Sequence, residues 1–186
     1  MLRQLNDKSS KITNVIMVTA VIIIIFTVAI KSLFIANFAT SGASMAPTYI
    51  DRQIVWVNKL AKFSRGDIVV AYKAESEIYI IKRIVGLSGD RINAVRDVDG
   101  SYYLTITTPD GQTFREKYIK AIIPNILKEN LDLLENEYVV SEGCVFLIGD
   151  NRNNSLDSRV NGEYSQDCIV GVVFAPRANS TKIIAY

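Results

Sequence analysis

From Ile12 to Ile30 the chain runs 19 residues without a charged side chain, and Lys31 closes the run. Twelve of the 19 are Ile, Val or Phe. In water so many β-branched residues would favour a strand. In lipid a single unpaired segment must satisfy every backbone group internally, which makes it a helix. At a rise of about 1.5 Å per residue it spans about 28 Å, close to the hydrocarbon thickness of a bilayer. A buried core helix is not expected, because no side of the run is polar. Thr13, Asn14, Thr19 and Thr27 interrupt it only lightly. Arg3, Lys8 and Lys11, set against Asp7, precede it. This basic flank predicts a cytoplasmic N-terminus over residues 1–11 and a single transmembrane helix over 12–30. An extracytoplasmic domain over 32–186 then follows. The competing reading is a cleaved leader with Ser41-Gly42-Ala43 as its processing site. Against it, the run exceeds a usual leader core and Ala43 lies twelve residues beyond Lys31.

The 186 residues leave room for one modest domain after this segment. A formal charge of +2 gives no bulk electrostatic reason for a nucleic-acid partner, and none is expected. The chain has no histidine. That removes Ser-His-Asp triads, Cys-His nucleophiles and His-rich zinc sites together. A serine nucleophile here needs another base, and lysine is the natural one. The two cysteines, Cys144 and Cys168, sit in apolar strand-like runs and read as small buried hydrophobes. A disulfide between them is the alternative for a domain outside the cell. Neither a metal nor a cofactor is expected.

Past Lys31 the pattern changes to short Val- and Ile-rich segments bounded by polar residues, the signature of strands. Ser32 to Thr40 reads as a first strand. Gln53 to Asn58, Asp67 to Lys73, Glu77 to Val85, Arg91 to Arg96 and Ser101 to Thr108 follow. Glu137 to Ser141, Gly143 to Ile148 and Cys168 to Phe174 complete the set. Arg65-Gly66-Asp67, Asp97-Val98-Asp99-Gly100 and Pro109-Asp110-Gly111 read as turns. Asn125 to Asn136 reads as a helix, with Asn125 as its cap and Leu127, Leu131 and Leu134 on one face. Many short strands with one late helix predict a mostly β domain of antiparallel strands. Residues from about 93 to 142 read as a small inserted subdomain without chemistry of its own.

Three stretches carry the chemistry. Ser41-Gly42-Ala43-Ser44-Met45-Ala46-Pro47-Thr48 packs turn residues around Ser44. Tyr79-Ile80-Ile81-Lys82-Arg83-Ile84-Val85-Gly86 places a lysine inside an apolar strand, and Ile80 and Ile84 share its face. Burial there disfavours the ammonium form and makes a lysine basic at lower pH. A lone strand lysine would instead reach solvent along its stem. Gly149-Asp150-Asn151-Arg152-Asn153-Asn154-Ser155-Leu156-Asp157-Ser158-Arg159 is a dense polar loop after an apolar strand. With Arg65-Gly66-Asp67, these stretches resemble, in order, the signature boxes of the type I signal peptidases, or leader peptidases.

The resemblance implies a membrane-anchored serine endopeptidase with a signal-peptidase-like β domain. It implies Ser44 as acyl-forming nucleophile and Lys82 as general base. Ser155 matches the family serine that helps orient the lysine amine. Asp157 and Arg159 match a structural ion pair, and Asp150 and Asn151 shape the Gly-Asp-Asn loop. Arg152, Asn153 and Asn154 read as solvated, and Ser158 as packing or loop bonding. The pattern is broken in three places. Gly42 stands where some members carry a second serine of the oxyanion hole, which leaves that hole to backbone N–H groups, chiefly that of Ser44. Ala43 replaces a common acidic residue, and Ser88 stands where the family usually has proline. The implied partners are exported preproteins with small residues at −3 and −1 from the cut, and the lipid bilayer. Met45 with Ala46, Pro47, Tyr49 and Ile50 reads as an apolar patch facing lipid or substrate, or else as core. The strand before Lys82, with Ile80 and Ile81, and the segment before Ser44 read as the edges that meet substrate. Two other functions compete. A non-catalytic scaffold assisting pilins or other surface proteins would be expected to lose Ser44 or Lys82. A self-cleaving repressor would need a DNA-binding domain in place of the apolar run.

Overall fold

The computed structural model describes residues 2–98, 102–121 and 137–175. The chain divides into two compact units, Met1–Ala36 and Asn37–Tyr186. The first is one helix, α1 (Leu2–Phe34). Its stretch Lys11–Phe34 is long and apolar enough to cross a membrane, and none of it is buried within the protein. At about 1.5 Å per residue, 24 residues reach about 36 Å, enough to cross about 30 Å of hydrocarbon with some tilt. Three of its hydroxyls bond back to the helix itself. Thr19 donates to the Val15 carbonyl (2.8 Å), Thr27 to that of Ile23 (2.7 Å) and Ser32 to that of Ala29 (2.7 Å).

Helix α1 is longer than the sequence pattern suggests. Lys31 to Phe34 continue it rather than opening a strand, because no proline or glycine stops it and Ser32 bonds back into the preceding turn. Residues 2–11 are helical too, although polar.

The second unit holds a seven-stranded and a four-stranded sheet. The first is built from β1 (Ile35–Ala39), β2 (Ile54–Asn58), β3 (Ile68–Lys73), β4 (Ile78–Leu87), β9 (Cys144–Ile148), β10 (Tyr164–Ser165) and β11 (Ile169–Ala175). Its spatial order is β1-β2-β11-β3-β4-β9-β10. Strands β5 (Arg91–Arg96), β6 (Tyr102–Thr107), β7 (Thr113–Ala121) and β8 (Tyr138–Val139) form the other, in the order β7-β6-β5-β8. The registered pairs in both sheets run antiparallel. Strand β7 is absent from the sequence reading because Arg115, Glu116, Lys117 and Lys120 break its apolar pattern; pairing with β6 makes it a strand. A further α-helix, α2 (Ser158–Asn161), is a single turn. The expected helix over 125–136 and part of the turn at 97–100 lie outside the described residues. Cys144 and Cys168 are free, half-buried thiols rather than a disulfide.

The alternation of side chains sorts the core. On one face of β3 and β4, Val69, Ala71 and Ile84 pack with Val145 and Leu147 of β9, joined by Ile80. On the other face, Ile68 and Val70 pack with Met45, Tyr49, Val55 and Val57, joined by Phe38 and Ile81. A third cluster, including Val85, Ile92, Leu104, Phe146 and Ile148, fastens the four-stranded sheet to β4 and β9. Each fully buried aliphatic side chain contributes about 1.5–3 kcal/mol. Exposed pairs such as Arg91–Glu137 contribute about 0–1 kcal/mol, so this cluster is what holds the smaller sheet in place.

Gly171 lies where β11 runs tightly against β2. A Cβ there would lie 2.5 Å from the Asn58 carbonyl oxygen and 2.8 Å from Val57 Cγ1. Backbone cannot swing aside as a flexible side chain would. Gly171→Ala is therefore expected to cost about 1–3 kcal/mol of stability by overpacking. Thermal denaturation of the detergent-solubilised chain checks this, and a melting temperature equal to the parent's would show that the strands can part there.

Candidate active site

The turn that carries Ser44 is folded by its own backbone. The Ala46 N–H donates to the Ala43 carbonyl (3.0 Å) and the Tyr49 N–H to that of Met45 (2.9 Å). Met45 and Tyr49 then anchor the turn in the core, at 3% and 2% exposure. Met45 is therefore core, not part of an exposed patch, since its side chain fills the space above Val55, Val57 and Ile68. Ile50 alone of that group is a large exposed hydrophobe.

Strand β4 brings Lys82 to this turn. Its register sets Lys82 opposite Val69 and Ile80 opposite Ala71, so the lysine stem leaves the backbone on the apolar face that Ile80 and Ile84 share. Lys82 is only 5% exposed, and its Nζ lies 2.8 Å from Ser44 Oγ. Burial pulls the Lys82 pKa below its ordinary 10.5; Asp157 opposes this, Arg159 reinforces it and Asp150 opposes it. Among the described residues no carboxylate sits within ion-pair distance of the amine. Desolvation therefore outweighs the carboxylate charges.

The polar loop after β9 is largely buried at Asp150, Arg152, Ser155 and Asp157 to Arg159, while Asn153 and Asn154 are exposed, as expected. Asp157 is fully buried and receives Arg159 through Nε (2.8 Å) and a terminal nitrogen (2.8 Å). It also caps the turn of α2 and accepts the Gly149 N–H (3.0 Å). Burial pushes this carboxyl up, but the hydrogen bonds and charge of Arg159 win and hold it below the usual range. Arg159 in turn donates to the Arg152 carbonyl (2.8 Å), and Arg152 is itself buried, contrary to the expected solvated residue. Ser158 accepts the Leu147 N–H (2.8 Å).

Asp150 and Asn151 lock this loop onto the Ser44 turn. The Asn151 N–H donates to the Ser44 carbonyl (3.0 Å) and its side-chain amide to that of Ala43 (3.0 Å). Asp150 is buried and takes a bidentate pair from Arg83, at 2.7 and 2.5 Å. Arg83 also donates to the Gly66 carbonyl (2.7 Å), and Arg65 pairs with buried Asp90 (2.6 Å). The Arg83–Asp150 ion pair has no local sequence signal, although Arg83 directly follows Lys82.

Ser155 is buried against Gly149: a Cβ on that glycine would fall 2.2 Å from Ser155 Oγ and 2.5 Å from the Ser44 carbonyl oxygen. The Ser155 hydroxyl makes no hydrogen bond to Lys82. It lies near the Asp157 carboxylate, which it helps keep ionised, without reaching full hydrogen-bond geometry. Gly42 is exposed at φ +78°, and its N–H is occupied by Asp51 Oδ1 (2.7 Å). Ser88, in the proline position, accepts from Gln166 (2.9 Å) and donates to the Cys144 carbonyl (3.2 Å). No cluster of three or more metal-ligating side chains is found among the described residues.

A family profile described as "Signal peptidase, peptidase S26" matches residues 12–177. "Signal peptidase I U" of Bacillus subtilis (strain 168) is 33% identical, over 91% of this chain and 91% of that protein. "Signal peptidase I" of Bacillus caldolyticus is 34% identical, over 78% and 81%. Among solved structures, a signal peptidase I from Enterococcus faecalis V583 overlaps 61% of this chain and 98% of its own, at 28% identity and a TM-score of 0.43.

Truncating Arg159 strands the buried Asp157 carboxylate. Arg159→Ala is expected to cost about 3–5 kcal/mol, read from chemical denaturation. Because the folded Asp157 pKa is depressed, the pair's contribution is complete above the unfolded carboxyl value. It fades as pH falls through the folded value, so the gap between parent and variant should close in strong acid. The same variant should raise the Lys82 pKa, since it removes one charge that lowers it and frees one that raises it.

Proposed function

We propose, from the premise that this chain belongs to the signal peptidase family, peptidase S26, that Ser44 is its nucleophile and Lys82 its general base. The family and the relatives make the chain a type I signal peptidase, a hydrolase that removes signal peptides. An N-terminal apolar helix with such relatives marks a membrane-anchored protein acting on exported preproteins. The non-catalytic scaffold is not favoured, since both Ser44 and Lys82 are present and adjacent.

The observation that carries the assignment is the 2.8 Å contact between Lys82 Nζ and Ser44 Oγ at a desolvated amine. With Nζ neutral, the Ser44 hydroxyl donates to it. Oγ attacks the scissile carbonyl carbon while its proton passes to Lys82. The tetrahedral oxyanion needs donors, and among the described residues nothing accepts from the Ser44 N–H, which leaves it free for that role. The ammonium then protonates the leaving amine, giving an acyl-enzyme. Lys82, neutral again, deprotonates a water that hydrolyses the ester. Ser155, Asp157, Arg159, Asp150 and Asn151 support the pair by building the loop behind it.

Substrate would bind as an added strand. Among the described residues, β4 from Ile78 to Lys82 is paired only with β3; pairing with β9 begins at Arg83. The free edge includes Ile80 and Ile81, both half-buried, so an extended peptide placed there presents alternate side chains to a shallow apolar wall. That supports small residues at −1 and −3. The basic flank of the apolar run supports a cytoplasmic N-terminus, a single span and an extracytoplasmic catalytic domain. No nucleic acid enters this reading.

Only neutral Lys82 supports attack, so cleavage should rise with pH through a pKa below 10.5 and then level off. Ser44→Ala and Lys82→Ala should each lower turnover by roughly 10⁴-fold or more, since a paired nucleophile and base act as a unit. Lys82→Arg should fail as well, because guanidinium keeps its proton. Preprotein cleavage measured across pH decides this; near-parental cleavage by Lys82→Arg would remove Lys82 as base.

Orientation is tested separately. Protease added to intact protoplasts should digest the chain beyond residue 36. Digestion only after lysis would reverse the proposed topology.

A further inference from the structure

We propose that Thr48 is a positioning residue for the reaction, its hydroxyl keying the Ser44 turn to the strand that carries Lys82. The proposal rests on the assignment of Ser44 and Lys82 above. Thr48 lies four residues past Ser44 at the end of the same turn, and its Oγ1 donates to Asp150 Oδ2 at 2.5 Å. That carboxylate is 1% exposed, and Arg83 grips it through both oxygens. Arg83 directly follows Lys82 on β4, so its position moves with the lysine backbone. A planar guanidinium bound through two hydrogen bonds fixes the carboxylate in direction as well as distance. The hydroxyl of Thr48 therefore finds one rigid acceptor, held by the strand of the general base.

The upstream end of the turn is tied differently. Asn151 bonds the carbonyls of Ala43 and Ser44, and Asn151 follows Asp150 in the chain. Met45 sinks into the core between these ties, and Tyr49 does so directly after Thr48. Packing fixes the depth of the turn, and Asn151 fixes its entry. The Thr48 bond fixes how its exit is turned relative to β4. Ser44 Oγ must stay within bonding distance of Lys82 Nζ during attack, and small misplacements of reacting atoms are expensive in rate. A hydroxyl that sets this angle acts on turnover without touching substrate.

Two variants separate the hydroxyl from the methyl. Thr48→Val keeps the shape and loses the donor; Thr48→Ser keeps the donor and loses the methyl. The full detergent-solubilised chain is assayed with a preprotein substrate for kcat and KM, with melting temperature alongside. Thr48→Val should lower kcat by about ten- to a hundredfold with KM within about twofold of the parent. Thr48→Ser should retain parental kcat. Parental kcat in Thr48→Val overturns the proposal. So does equal impairment of both variants, or impairment of Thr48→Ser alone, because either result makes the residue a packing contact. Ser44→Ala and Lys82→Ala run in parallel. If either still cleaves, the nucleophile and base assignment fails; if both are dead while Thr48→Val is parental, only the role of Thr48 fails.

Discussion

A lysine amine held beside a serine hydroxyl without a carboxylate of its own is the constraint on which the rest of this structure depends. Lys82 is buried on an apolar face, and burial is the largest influence on its proton. Two carboxylates stand close enough to oppose that effect, Asp157 and Asp150. Each is already committed to an arginine, Asp157 to Arg159 and Asp150 to Arg83. An unpaired carboxylate in either place would stabilise the ammonium and keep it charged. The arginines therefore do more than satisfy buried acids: they leave desolvation as the dominant influence on Lys82.

Those pairs also explain how a polar loop is buried against a small β domain. Buried ion pairs are a poor source of net stability, because desolvation cancels much of the attraction. What they supply here is definition of position. Each guanidinium meets its carboxylate through two nitrogens, and the spare donors reach backbone carbonyls, of Gly66 from Arg83 and of Arg152 from Arg159. Together with the hydrogen bonds from Thr48 and Asn151, the arrangement joins three segments far apart in the chain: the turn after Thr40, strand β4, and the loop after Ile148. Apolar packing of Met45, Tyr49, Val145 and Leu147 brings those segments together, and the ion pairs set their angles.

Much was legible in the sequence alone. The apolar run from Ile12 to Ile30 has only one way to satisfy its backbone in lipid, so its helix follows from composition. The strands β2 to β6 follow from short Val- and Ile-rich runs between turn residues. The lack of histidine points any serine nucleophile toward a lysine, and alternation along β4 puts Ile80 and Ile84 around Lys82 whatever the neighbours are. These conclusions rest on period, hydropathy and chemical type, which are local properties.

Only the tertiary structure decided the rest. Arg83 and Asp150 are 67 residues apart, and Thr48 and Asp150 are 102 apart, so no window of sequence pairs them. Met45 is core because Tyr49, Val55 and Val57 converge on it, whereas its local context reads equally well as an exposed apolar turn. Ser155 faces Gly149 and the Asp157 side, with no bond to the lysine amine, a direction set by how the loop folds back on β9. Strand β7 exists because β6 offers it a partner edge, against the grain of its charged side chains. Local sequence determined which groups this protein has and which elements carry them. Long-range packing determined which groups meet, because burial and charge pairing depend on neighbours that only folding supplies.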